Sequence, residues 1–163
     1  AVHKVLAFSP ILMAFCRFLL YLIAASSAAR GITGLAVWSA LVLAAYIVGL
    51  SYLARKESVR GVLRYWPCFL LAAPMVLALV ANGEDYQNRA ILLSVLFAIW
   101  VIRCLRHTFW SGERNIGRTV SGLLAGVILV DLLALAGGTP WTGLVFVLLF
   151  VAALLFQRFI PAT

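Results

Sequence analysis

Acidic residues are scarce in this sequence: five Asp and Glu stand against thirteen Lys and Arg in 163 residues, and charged residues of all kinds make up only 11%. So little charge cannot clothe a water-soluble domain, and five scattered acids leave few ways to assemble an acidic metal site. Cysteine is also sparse. Cys16, Cys68 and Cys104 lack any CxxC spacing and lie in or beside apolar runs, which points to packing rather than a disulfide framework or zinc site. The two histidines, His3 and His107, are not spaced with Asp, Glu or Cys in a metal pattern. No GxSxG, no P-loop and no GxGxxG following a strand is present, so hydrolase and nucleotide-binding chemistry have no motif to rest on.

What fills the chain instead is hydrocarbon. Hydrophobic residues account for 65% and the mean hydropathy is +1.10. The net charge of +8 does not indicate nucleic acid, because the cations occur in short clusters between apolar runs rather than on a polar face. Crossing about 30 Å of hydrocarbon takes about 20 residues. Six segments meet that length, at 8–28, 34–54, 62–81, 89–108, 117–136 and 141–160, separated by turn-forming stretches such as "ARGITG", "ARKESVRG", "ANGEDYQN", "SGERNIGR" and "GGTPWTG". The expectation is one all-α domain over residues 1–163, a polytopic transmembrane bundle of about six up-and-down helices. The opening "AVHKVLAFSP" has no signal-peptide pattern, and the chain is expected to begin within a longer protein.

Alternate connections differ sharply in charge. Lys4, Arg17, Arg55, Lys56, Arg60, Arg64, Arg103, Arg106, Arg114, Arg118 and Arg158 fall on one side, and only Arg30 and Arg89 on the other. The positive-inside rule makes the first side cytoplasmic, with both ends of the chain there. Trp66, Trp110 and Trp141 near segment ends suit the headgroup layer. Pro67 and Pro74 in the third segment are tolerable in a membrane helix.

Ionisable groups at membrane depth are costly and therefore candidates for function. Arg17, in "MAFCRFLLY", lies about 10 Å beyond Pro10 on a helix; it either snorkels to the cytoplasmic surface or points inward to an anion. Asp131, in "ILVDLLALAGG", reads as a solvated or helix-paired carboxylate, and as central only if a proton or cation pathway runs past it. His107 shares a helical face with Arg103, giving either a plain basic helix end or a patch facing a diphosphate.

Two stretches, "HKVLAFSPILMAFCRFLLYLIAASSA" and "AYIVGLSYLARKES", resemble the second half of the UbiA superfamily of intramembrane prenyltransferases. Lys4, Pro10, Met13, Cys16 and Arg17 match in the first. The second resembles the tyrosine-containing run that leads into the family's second aspartate-rich loop. The resemblance implies a helical bundle that binds a polyprenyl diphosphate through Mg²⁺ and transfers the prenyl group to an aromatic or other lipophilic acceptor. It places the protein in a bacterial cytoplasmic membrane among membrane lipids, with no nucleic-acid partner.

Two departures qualify what it implies. The family's first aspartate-rich motif has no counterpart in these residues. In the second, Ala54 and Ser58 stand where two aspartates are expected, leaving Glu57 as the loop's one acid and a weak metal ligand. The expected diphosphate-binding set is Lys4, Arg17, Arg55, Lys56 and Arg60, acting as point charges and, for arginine, as a bidentate fork. The main Mg²⁺ ligands would lie in the family's first half, and residues 1–163 alone are not expected to turn over. The alternatives are a positive-inside hairpin with no ligand and a non-catalytic membrane protein or transporter component on the same scaffold.

Overall fold

The computed structural model describes residues 2–28, 31–58, 65–81, 87–109, 116–135 and 139–159, and for 2–9, 56–58, 81, 107, 158 and 159 it describes the backbone alone. Six helices follow in order: α1 (Val2–Ser26), α2 (Gly34–Ser58), α3 (Trp66–Ala81), α4 (Gln87–Phe109), α5 (Ile116–Ala134) and α6 (Pro140–Phe159). No strand occurs among the described residues. The all-α expectation holds, and each expected apolar segment corresponds to one helix. Four of them, α2, α4, α5 and α6, contain a stretch long and apolar enough to cross a membrane. The apolar parts of α1 (Pro10–Ser26) and α3 (Trp66–Val80) are shorter.

Local chemistry explains the helix ends. At the turn after α1, Gly31 has φ +63°, a left-handed conformation that glycine adopts without a Cβ clash. Two residues later Thr33 caps α2, its Oγ1 accepting the Ala36 N–H at 3.2 Å. Thr139 precedes α6, its hydroxyl paired with that of Thr142 at 2.9 Å and its carbonyl accepting the Thr142 N–H, with Pro140 at the first helical position, where a missing N–H costs nothing. Pro10 sits inside α1, as it does in the expected segment, but the helix begins earlier than position 8, at Val2.

The helices pack as a serial bundle. α2 lies against α1, α3 and α5; α4 lies against α3 and α5; α6 packs along α5. Helix direction then separates the cations into two ends. The exposed side chains of Arg55, Arg103, Arg106 and Arg118 stand at the end where α2 and α4 finish and α5 starts, and Arg89 stands at the other. Aromatic pairs line the basic end: Tyr52 meets Trp66 edge-on at 4.7 Å, and Tyr65 stacks on Phe109 at 5.2 Å.

At the centre is α5. Three consecutive carbonyls of this helix accept a side-chain hydrogen bond, each from a different neighbour. Gln157 Nε2 of α6 donates to Ser121 O at 2.8 Å, Trp100 Nε1 of α4 to Gly122 O at 2.9 Å, and Tyr46 OH of α2 to Leu123 O at 2.8 Å. Successive residues of an α-helix are about 100° apart around its axis, so three in a row serve three neighbours. A second α4–α5 link runs from Thr108 Oγ1 to Thr119 Oγ1 at 2.7 Å and on to Cys104 O at 2.8 Å.

Two glycines permit the approach. A Cβ on Gly122 would stand 2.5 Å from Cys104 Sγ, and one on Gly126 would stand 2.7 Å from the Tyr46 hydroxyl. Small residues four apart are how membrane helices, which lack a hydrophobic drive toward each other, gain close contact. Gly126→Val should therefore be the more damaging change, lowering stability by about 1–3 kcal/mol through overpacking, while Tyr46→Phe should cost about 1 kcal/mol. Denaturant unfolding in bicelles, followed by tryptophan fluorescence, measures both. Wild-type stability in Gly126→Val would mean that this contact does not hold the bundle together.

Candidate functional site

Arg17 lies deeper than its distance from Pro10 suggested. Because α1 runs helical from Val2, Arg17 stands about 22 Å along the axis from that residue and about 14 Å from Ser26. Snorkelling to the Val2 end is correspondingly harder. Its side chain is exposed on the bundle surface. One turn on, Tyr21 shares its face and is half-buried.

The counter-charge comes from α5. Asp131 is half-buried and close enough to both Arg17 and Tyr21 for its charge to be felt by each. Among the described residues α1 packs against α2 and not directly against α5, so the helix-paired reading of Asp131 gains charged company within electrostatic reach rather than a contact. At low local dielectric such a pairing counts for more than at a surface. A cation, an anion and a phenol at depth can hold a polar group or pass a proton. Tyr21 was not among the residues singled out from sequence, although its i+4 relation to Arg17 was there to read.

The other expected site residues are placed unevenly. Arg55 is exposed in the last turns of α2, and Ser51, one turn earlier on the same face, has a buried hydroxyl with no hydrogen-bond partner among the described residues. Lys4, Lys56 and Glu57 are described by their backbone alone: Lys4 near the start of α1, Lys56 and Glu57 in the last turn of α2. Arg60 lies outside the described residues, as does Trp110. The helix directions carry Lys4 and the Arg55–Glu57 turn to the same end of the bundle, while Arg17 stands well away from that end.

Among the described residues no three His, Cys, Asp or Glu side chains converge in a way that could hold a metal ion. Those residues therefore do not build a Mg²⁺ site, and no chemical step is derived through one. The cysteines are free: Cys104 is buried against α5, Cys68 half-buried and Cys16 exposed. The packing reading thus applies most fully to Cys104.

Comparison with known proteins finds no family model, no curated protein and no solved structure that matches this chain.

If Arg17 and Asp131 support each other, their substitutions should not be additive. Arg17→Gln and Asp131→Asn, alone and together, are compared by unfolding in bicelles. The double variant should be more stable than the sum of the single effects predicts, with a coupling of at least about 0.5 kcal/mol. Strict additivity would separate the two residues.

Proposed function

We propose that this integral membrane protein is the C-terminal part of a UbiA-like prenyltransferase, which moves a prenyl group from a polyprenyl diphosphate to an aromatic or other lipophilic acceptor. In this reading all six helices cross the membrane, the basic end is cytoplasmic, and the membrane is the bacterial inner one. Arg17 carries the proposal. It belongs to the stretch that resembles the family, and it is an arginine at membrane depth whose side chain its neighbours leave exposed. Arg55 gives further support as an exposed cation one turn beyond a buried, unpartnered serine hydroxyl.

The chemistry asked of these residues is electrostatic. A departing diphosphate gathers negative charge, and fixed guanidinium groups in a water-poor site stabilise it without reorganising. The surrounding apolar helices suit an isoprenoid tail and keep water from an allylic cation. Mg²⁺ enters through the resemblance alone, with Glu57 the one acid of the loop and the main ligands expected in the family's first half.

A second reading, a non-catalytic membrane protein or transporter component, draws on Asp131. A carboxylate within electrostatic reach of an arginine and a tyrosine at depth is also what a proton or ion path uses.

Transfer of label from radiolabelled geranylgeranyl diphosphate separates the two, measured on the full-length protein in membranes with and without Mg²⁺. The proposal expects Mg²⁺-dependent product, and expects Arg55→Ala to raise KM for the diphosphate by roughly tenfold, the worth of one charge-assisted hydrogen bond. An absence of labelled product across several chain lengths and acceptors would leave the second reading standing.

A further inference from the structure

A wide opening lies away from the basic end and takes no part in the proposed transfer. It has a volume of about 280 Å³ and runs between α4, α5 and α6, with Leu93, Leu132, Gly143 and Val147 on its walls and Arg89 and Thr139 at its mouth. That is nearly twice the apolar cavity of about 150 Å³ that takes up a benzene molecule.

The groove exists because α6 is tied down in one half only. Toward the basic end Gln157 bonds Ser121 O at 2.8 Å, and at mid-helix Phe150 meets the Trp100 ring edge-on at 4.9 Å. Beyond Phe150 no such tie continues among the described residues. There Gly143 faces open space, since a Cβ built on it would meet nothing within 4 Å. The result is a slot with aliphatic walls and one guanidinium at the rim.

Its length takes the upper part of a lipid tail. Along α4 the lining rises about 6 Å, from Arg89 to Leu93, and along α6 about 10 Å, from Pro140 to Val147, which lies within the roughly 15 Å of one leaflet's hydrocarbon. We propose that the groove holds one acyl chain of an anionic glycerophospholipid from the leaflet at the Arg89 end, with the headgroup phosphate on Arg89. Charge complementarity selects this occupant. An arginine fork binds a phosphate in a bidentate manner, and a lipid with net negative charge, unlike a zwitterionic one, has no cation of its own to compete. The apolar walls then align the chain with the membrane normal.

Native mass spectrometry tests this on protein exchanged into mild detergent with equimolar phosphatidylglycerol and phosphatidylcholine. Wild type should retain one phosphatidylglycerol per chain. Arg89→Gln should lower the ratio of retained phosphatidylglycerol to phosphatidylcholine by about fivefold, the factor expected for one basic residue near an anionic headgroup. Gly143→Trp, whose Cβ meets nothing within 4 Å, and Val147→Trp should each fill the slot and remove the lipid. Val145→Trp, exposed on the opposite face of α6, should leave it bound. Equal retention in wild type and both filling variants, or an unchanged ratio in Arg89→Gln, would overturn the proposal. So would a dimer that Gly143→Trp dissolves, since the groove would then seat a second copy of the chain.

Discussion

The bundle depends on the carbonyls of Ser121, Gly122 and Leu123. Each already lies within the hydrogen-bond ladder of α5 and has a second lone pair to offer. Between helices in lipid there is no gain from hiding apolar surface, so close packing and such bonds decide which faces meet. Tyr46, Trp100 and Gln157 are long side chains that reach past their own helices to a backbone exposed by small neighbours. Gly122 and Gly126 do the exposing, and Cys104 and Tyr46 occupy the space that a side chain there would take. The remaining helices follow, with α3 packed against α2, α4 and α5, and α1 against α2.

Fixing α5 in this way has opposite effects at its two ends. Toward the basic end the ties are dense, with the Thr108–Thr119 bond and the Gln157 anchor drawing α4 and α6 inward. Toward the other end α5 offers Leu132 and Leu135 instead, and α6 begins with Thr139, Pro140 and Gly143 around open space. The groove is therefore a consequence of where the polar ties stop. Asp131 lies in this same half of α5, within electrostatic reach of Arg17 and Tyr21 on α1.

Much of the architecture was legible because bilayer thickness leaves a length signal. Six apolar stretches became six helices, and the clustered arginines marked one end. The expected first segment began at position 8 with Pro10 already inside it; in a membrane helix the missing hydrogen bond forces no stop, so α1 continues back to Val2 and Arg17 stands deeper. The spacing Gly122-Leu-Leu-Ala-Gly126 was present in the sequence, but a pair of small residues acquires meaning only when a partner helix is known. The association of Asp131 with Arg17 and Tyr21 is less legible still, because it joins the first helix to the fifth and leaves no local pattern. Of the expected anion-binding set, Arg17 and Arg55 are fully described, Lys4 and Lys56 are described by their backbone alone, and Arg60 lies outside the described residues.

Arg17 is where fold and function meet, and its valence sharpens the question. A guanidinium carries five N–H donors in a planar fork, and one carboxylate engages at most two of them well. A charge near the middle of a bilayer costs at least about 2.5 kcal/mol on the most lenient scale, and each unsatisfied donor adds to that cost. Asp131 answers part of the charge from within the bundle, while the side chain remains exposed on the surface of α1. The outward donors thus call for a further acceptor. A diphosphate has the oxygens and charge to supply it, as the prenyltransferase reading requires, whereas a resident proton path would need water or a second carboxylate there. Both readings therefore turn on what Arg17 binds.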